Sequence, residues 1–232
     1  MSLNYCREFL ARYTQATTKL ALRLLLLTAV RPGIVRGARW DEIYDLDGPA
    51  PHWIIPAARM KLEQKRKADQ AFDHPVPLST QAVEILRALA TLTGAGDLCF
   101  PGARFGNRPI SENTLNAYLR RGGYCDRHTA HGCRAAFSTV MNERPDEVTL
   151  KNDRLAIDLM LGHRLTKKSG EEDRRAVAVS SSESAYNRAK YMPRRRELAQ
   201  EWADMIMEGV SPPRDLIGGR VRYAKDADRT DG

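Results

Sequence analysis

The sequence feature that most constrains the fold is a nearly continuous apolar run over residues 20–30. A helix that is apolar on every side must be buried, so residues 17–30 are predicted to form the central helix of a globular domain. Pro32 and Gly33 mark the end of that helix. Arg23 interrupts the run, which is also much shorter than the ~20 apolar residues needed to span a bilayer. The run therefore predicts a protein core and no membrane segment.

The rest of the chain predicts an α+β fold, a mainly α-helical domain with a small three-stranded antiparallel sheet. Strand patterns cover residues 38–43, 52–55 and 74–78. Trp40 and Trp53 are interpreted as the core of this sheet, in preference to a platform for stacked nucleotides. The helical patterns cover residues 5–13, 80–92, 111–121, 131–143 and 155–161, a segment around Tyr186, and residues 195–207, with a break at Pro193.

Composition bounds the domain organisation. The 232 residues are 42% hydrophobic and 28% charged, which is enough to bury a core and excludes disorder throughout. Residues 1–210 are predicted to form one domain. Residues 211–232 contain Ser-Pro-Pro, Gly-Gly and alternating charges, so they are predicted to form a flexible basic tail.

The chain is basic, with a formal net charge of +8 and a pI near 9.5. Cations that neutralise phosphates release counterions, so this balance favours a nucleic-acid partner. The 4 cysteines are scattered and lack zinc-ligand spacing, so they are interpreted as reduced thiols in a cytoplasmic protein. The sequence has neither the acidic pair of a two-metal nuclease nor a glycine-rich nucleotide-binding loop. It therefore predicts no metal and no cofactor.

His131 and Arg134 stand three residues apart at the start of a helical pattern, so they share one face of the helix. An imidazole that exchanges a proton near pH 7, beside a permanently charged arginine, suits a site that holds a phosphate while a proton moves. The same spacing also occurs in ordinary surface helices. Its meaning therefore depends on the motifs around it.

Four further segments supply that context. Arg31 lies in Thr-Ala-Val-Arg-Pro-Gly, Lys61 follows Arg-Met, His163 ends Leu-Gly-His, and Tyr186 lies in Ala-Tyr-Asn-Arg-Ala. With His131 and Arg134, these residues resemble the ordered active-site series Arg, Lys, His-x-x-Arg, His or Trp, Tyr of the tyrosine recombinase (phage integrase) family. The resemblance runs from about residue 20 to about residue 203, and it is strongest to integrases of temperate phages and genomic islands.

The resemblance implies a catalytic domain that cuts and rejoins DNA through a 3′-phosphotyrosyl intermediate, without metal or ATP. Arg31 and Arg134 would stabilise the charge on the phosphate, and His163 would donate a hydrogen bond to it. Tyr186 would be the nucleophile. Lys61 would protonate the leaving 5′-oxygen, and His131 would accept or hold the tyrosine proton.

Alternatives remain for several of these residues. Arg31 has a structural interpretation as a cation bonded to the carbonyls of its own helix end. Lys65 is the second candidate for the catalytic lysine. Tyr191, which follows Tyr186 closely, is a rival nucleophile.

Two groups of polar residues are candidates for DNA contacts. The basic loop after Lys61 matches a hairpin that, in the family, enters the minor groove, and the helix at 111–121 carries amides and arginines with few apolar residues. A solvated surface is the alternative for both groups. The candidates are Lys65, Arg66, Lys67, Asn113, Asn116, Arg120 and Arg121.

The sequence departs from the family pattern in three respects. Ile34 stands where the family commonly has an acidic residue, and the segment between His163 and Tyr186 is longer than usual. No helical DNA-clamping domain precedes residue 20, so the chain is interpreted as a catalytic domain alone. The expected partners are double-stranded DNA and other integrase subunits in a tetrameric synapse, with the isolated domain a monomer or weak oligomer.

Two further function classes fit the same features. One is a DNA-binding protein derived from a recombinase and no longer catalytic, and the other is a type IB topoisomerase-like relaxing enzyme. The complete Arg, Lys, His, Arg, His, Tyr series favours the recombinase, because a non-cleaving protein has no chemical need for Tyr186 or Lys61.

The basic balance predicts salt-sensitive DNA binding. The logarithm of the affinity for duplex DNA should fall with the logarithm of salt concentration by about 0.9 for each phosphate neutralised. Fluorescence anisotropy with a labelled duplex, between about 50 and 200 mM salt, measures this slope. A duplex of shuffled sequence is the control and should bind almost equally. An affinity that does not change over this range would contradict the prediction.

Overall fold

The predicted central helix lies at the centre of the fold. The computed structural model describes residues 16–102, 106–144, 147–162 and 181–217, with the backbone alone for 147–152 and 181–190. Helix α1 spans Ala16–Thr28, and all of its residues except Lys19 are buried. The predicted helix at residues 5–13 lies outside the described ranges.

The described helices and strands follow in chain order. The helices after α1 are α2 (Pro32–Arg36), α3 (Gln64–Lys67), α4 (Thr80–Thr93), α5 (Thr114–Leu119), α6 (Gly132–Asn142), α7 (Glu147–Met160) and α8 (Ser181–Met207). The strands are β1 (Ile43–Tyr44), β2 (His52–Ile55) and β3 (His74–Pro77). None of the helices in these ranges has the length and apolar character needed to cross a membrane.

The three-stranded antiparallel sheet is confirmed, with the order β1-β2-β3. The predicted strand at residues 38–43 is wrong, because Trp40–Glu42 forms a 3-10 turn and β1 begins only at Ile43. The Trp40 backbone N–H donates to the Asp97 carbonyl at 3.0 Å, and its indole N–H donates to the Thr93 carbonyl at 3.1 Å. These contacts pull the segment onto the end of α4 and away from the sheet.

Helix α8 closes the domain over α1. The Trp202 indole N–H donates to the Leu26 carbonyl at 2.7 Å, and the Phe137 ring of α6 meets the Trp202 ring edge-on, with centroids 5.4 Å apart. The predicted break at Pro193 is wrong, because α8 continues through the proline. A proline removes one helix hydrogen bond, but the fully buried Leu198 and Trp202 anchor the helix beyond it.

Part of the predicted tail packs on the domain. A 3-10 turn spans Pro213–Leu216, and Pro213 is buried. The Arg23 guanidinium donates to the Ser211 carbonyl at 2.7 Å, and burial lowers the pKa of Arg23. The arginine that interrupts the apolar run therefore holds the chain that follows α8, while residues 218–232 lie outside the described ranges.

One buried carboxylate joins three helices. Asp153 of α7 is 1% exposed and accepts hydrogen bonds from Arg194 of α8 at 2.7 and 2.8 Å and from Arg144, just after α6, at 2.7 Å. Glu201 also pairs with both arginines. These helices carry the His131/Arg134 motif, the chain leading to His163, and Tyr186. The ion-pair network therefore fixes the end of α6, α7 and the part of α8 after Pro193 relative to one another.

Asp153→Asn should lower the free energy of unfolding at pH 7 by about 3 kcal/mol, because two arginines lose a buried charge partner. Hydrogen bonds from Arg194 and Arg144 hold the pKa of Asp153 below its usual value. Its contribution is therefore present above the unfolded pKa of about 3.9 and is lost as pH falls through the lower folded pKa. Urea unfolding at pH 7 and at about pH 3 measures the difference.

Asp47→Asn is the matched control, because the Asp47 carboxylate pairs with Arg87 but is 85% exposed. An exposed pair contributes less than about 1 kcal/mol. The role given to the network would be contradicted if both variants lost the same free energy of unfolding. It would also be contradicted if the loss in Asp153→Asn were as large in acid as at pH 7.

Candidate active site

Arg134 is the centre of the candidate site. It lies in the first turns of α6, is 6% exposed, and donates to the Ala29 carbonyl at 2.6 Å and to the Leu161 carbonyl at 2.7 Å. Both carbonyls lie just past the end of a helix, α1 and α7 respectively, where the helix dipole favours a cation. A guanidinium has five N–H donors, so these two bonds leave others available for a ligand.

Left-handed backbone turns the chain at both of these helix ends. Ala29 has φ 49°, which is costly for a residue with a side chain, and Gly162 has φ 61°. A Cβ at Gly162 would also lie 3.0 Å from the Met60 methyl group. The turn at Ala29 comes two residues before Arg31, which reaches the region of Arg134.

Arg31 and Arg134 lie close together. Arg31 is half-buried and precedes α2 directly, and none of the described residues accepts a hydrogen bond from its side chain or pairs with it. Burial, followed by repulsion from Arg31, lowers the pKa of Arg134 to about 10. Two cations held together at a partly dry site stabilise an anion placed between them.

The two arginines line one small cavity, called here the arginine pocket. Its walls come from the ends of α1 and α7, from α2, α6, β2 and β3, and from the loop after β2. The lining residues are Val30, Arg31, Ile34, Ile55, Met60, His74, Arg134 and Leu161. Ile34 is thus buried in the wall of the pocket, so the position that is commonly acidic in the family adds no carboxylate here.

A further ion pair holds the loop that carries Lys61. Arg59 pairs with the buried Glu42 and donates to the Ile34 carbonyl at 2.7 Å. The loop after β2 is therefore tied to α2, and Met60 reaches the arginine pocket. Lys61, the next residue, is exposed.

His131 lies at the start of α6 as its N-cap residue, and it is exposed. The loop before it is held by Asn116, whose side-chain oxygen accepts a hydrogen bond from the Ala130 N–H at 2.9 Å. His131 is thus exposed, whereas Arg134 is buried and reaches the pocket from inside the domain.

Two predicted catalytic side chains are not described. His163 lies outside the described ranges, one residue after Gly162. Tyr186 lies in α8, where only the backbone is described, so the structure gives no position for its hydroxyl. Tyr191, on the same helix, is half-buried.

The predicted DNA-binding residues occupy two surfaces. Lys65, Arg66 and Lys67 form most of α3, with Lys65 exposed and the Arg66 guanidinium 5.3 Å from the centre of the Phe72 ring. Asn113, Arg120 and Arg121 are exposed at the two ends of α5. Asn116 is half-buried, with its oxygen used by Ala130. These assignments stay predictions.

Sequence analysis missed three groups around the site: His74 in the pocket, the Glu42–Arg59 pair and the Asp153 network. Arg59 could have been noticed, because it lies two residues before Lys61. His74 and Asp153 carry no local signal, because one histidine in a short strand and one aspartate among the other polar residues of α7 look ordinary in sequence. In the described ranges no three His, Cys, Asp or Glu side chains are grouped to hold a metal ion.

The fold and the site together define a mainly helical domain with a small pocket lined by two arginines. Residues 3–167 match the model of the phage integrase family, and the chain belongs to that family. The resemblance stated from the sequence is confirmed. No solved structure matches the chain.

Named relatives agree with this assignment. The chain is 36% identical over 183 residues to prophage integrase IntA of Escherichia coli K12, covering 78% of this chain and 37% of that protein. It is 34% identical over 207 residues to the integrase of Enterobacteria phage P4, covering 86% and 43%. It is 31% identical over 192 residues to the integrase of Shigella phage Sf6, covering 82% and 42%. The chain thus spans about two fifths of the length of these relatives.

The arginine pocket predicts a specific response to anions. Sulfate should raise the unfolding temperature of the wild type more than chloride does at equal ionic strength, because a ligand that binds only the folded state stabilises it. Arg31→Gln should remove most of that difference, because the pocket then retains a single cation. Thermal unfolding followed by circular dichroism measures the effect.

Arg87→Gln is the control, because Arg87 lies on α4 and pairs with Asp47 on the surface. It should respond to sulfate as the wild type does. If Arg31→Gln gains as much from sulfate as the wild type, the anion does not bind between these arginines.

Proposed function

We propose that this chain is the catalytic domain of a site-specific tyrosine recombinase that integrates or excises mobile DNA. The observation that carries the proposal is the arginine pocket, which Arg31 and Arg134 line together with Met60, the residue before Lys61. A phosphodiester is an anion whose charge must be stabilised as phosphorus becomes pentavalent, and fixed arginines supply that stabilisation without a metal.

Cleavage in this proposal is a direct displacement at phosphorus. The Tyr186 oxygen attacks, its proton passes to His131, and the bond from phosphorus to the 5′-oxygen breaks. Lys61 gives a proton to the departing 5′-oxygen. Arg31, Arg134 and His163 hold the non-bridging oxygens of the phosphate. The product is a 3′-phosphotyrosyl bond, and attack by a 5′-hydroxyl from another strand reverses the step without an energy source.

The DNA backbone would cross the arginine pocket. Lys65 and Arg66 of α3 and Arg120 and Arg121 after α5 would contact phosphates, which give affinity without sequence preference. Exchange of strands needs two duplexes, so further integrase subunits are the expected partners on DNA, in a tetrameric synapse. The names of the three relatives, all integrases, support this function.

The test is capture of the covalent intermediate. The chain is incubated with a pool of nicked duplexes of random sequence, and DNA that stays attached to protein in denaturing detergent is amplified and sequenced. The nick lets a short 5′-hydroxyl fragment diffuse away, so the intermediate accumulates. Enrichment of one sequence supports a site-specific recombinase.

Other outcomes identify the alternatives. DNA binding without any adduct indicates a non-cleaving DNA-binding protein. Adducts on every sequence, together with relaxation of supercoiled plasmid and no exchanged strands, indicate a topoisomerase-like enzyme. Either result would overturn the proposal.

Tyr186→Phe should abolish the adduct and leave DNA binding within about twofold, because only the nucleophilic hydroxyl is removed. Tyr191→Phe on the same helix is the matched control and should still form the adduct. Denaturing gel electrophoresis with a labelled duplex measures both. A Tyr191→Phe variant that is dead beside a Tyr186→Phe variant that cleaves would reassign the nucleophile.

A further inference from the structure

The arginine pocket contains a polar side chain that has no part in the mechanism above. His74 is the first residue of β3 and is 9% exposed. Its side chain lines the same cavity as Arg31 and Arg134. We propose that His74 donates a hydrogen bond to a non-bridging oxygen of the scissile phosphate, as an additional catalytic residue. This inference rests on the proposed function.

The position of the ring supports the assignment. A Cβ added at Gly162 would lie 3.7 Å from both Cε1 and Nε2 of His74. The imidazole therefore lies against the turn that follows α7. The residue before Gly162 in this turn is Leu161, whose carbonyl accepts a hydrogen bond from Arg134. A phosphate bound between the arginines would share this small cavity with the ring.

The chemistry of the pocket favours a ligand-binding role over a packing role. Apart from His74 and the two arginines, the lining side chains are aliphatic or Met60. A valine or leucine on β3 would complete such a wall without placing a polar ring beside two cations. An imidazole keeps at least one N–H donor in either protonation state, so it can hold an anionic oxygen. The proposed bond transfers no proton.

The backbone of β3 holds the ring in a fixed position. His74 pairs with Ile55 of β2, and the next carbonyl, that of Pro75, accepts a hydrogen bond from the fully buried Arg195 of α8 at 2.5 Å. Hydrogen-bond donors that are already held in position stabilise a transition state most, because they need no reorganisation during the reaction. Arg195 also ties the helix of Tyr186 to the strand of His74.

The test combines protein variants with a change at one phosphate. His74→Phe keeps a ring of similar size and removes both nitrogens, whereas His74→Gln keeps a donor. His52→Phe is the matched control, because His52 lies on the neighbouring strand, stacks on Tyr44 and does not line the pocket. The substrates are a duplex selected by adduct capture and the same duplex with a methylphosphonate at the scissile position, which lacks one charged oxygen.

On the normal phosphate, His74→Phe should slow adduct formation by about 100-fold, as does loss of one preorganised donor elsewhere. His74→Gln should retain part of the rate, and His52→Phe should stay within about twofold of wild type. On the methylphosphonate isomer that lacks the contacted oxygen, His74→Phe should slow adduct formation only a few-fold. The hydrogen bond that this variant removes is already absent with that substrate. Equal penalties on phosphate and on both methylphosphonate isomers, or no penalty on phosphate, would overturn the inference.

Sulfate binding gives a second readout that does not need cleavage. The stabilisation of the wild type by sulfate should be reduced in His74→Phe and unchanged in His52→Phe. If sulfate stabilises His74→Phe as much as the wild type, the inference is overturned even if the variant reacts slowly. If the wild type forms no adduct with any duplex, the proposed function fails, and sulfate binding alone decides whether His74 belongs to the anion site.

Discussion

Arg134 donates to the Ala29 and Leu161 carbonyls, and the positions of the other site residues depend on these two bonds. They join the start of α6 to the ends of α1 and α7, which lead directly to Arg31 and to His163. Each bond satisfies a carbonyl that a helix end leaves open, so the cation is favoured where it lies. A lysine could not make both contacts from one planar group.

The distribution of carboxylates decides which arginines can take a ligand. Arg59 pairs with Glu42, and Arg144 and Arg194 both pair with Asp153. Arg144 also pairs with Glu201. These ion pairs hold helices and loops together. In the described ranges Arg134 instead donates hydrogen bonds to two backbone carbonyls, and Arg31 has no ion pair. The charge of the arginine pocket is therefore left for an anion, while the paired arginines around it keep its walls in place.

Helix α8 connects these parts. Arg194 enters the Asp153 network, Arg195 reaches Pro75 of β3, and Trp202 bonds to the Leu26 carbonyl of α1. The helix is thus fixed to the core over the residues that follow Pro193, and Tyr186 lies on the segment before it.

The sequence by itself determined the central helix, the three-stranded sheet and the helix beginning at the His131 motif, because apolar periodicity is a local property of the chain. It also determined the family, because the order of the motifs can be read along the chain. Only the tertiary structure decided that residues 38–43 do not form a strand, that α8 passes through Pro193, and that His74 shares a pocket with Arg31. These outcomes depend on contacts between distant positions, such as the hydrogen bond from Arg134 to the Ala29 carbonyl, across a sequence separation of 105. The energy of those contacts outweighs local preference, and no local pattern records it.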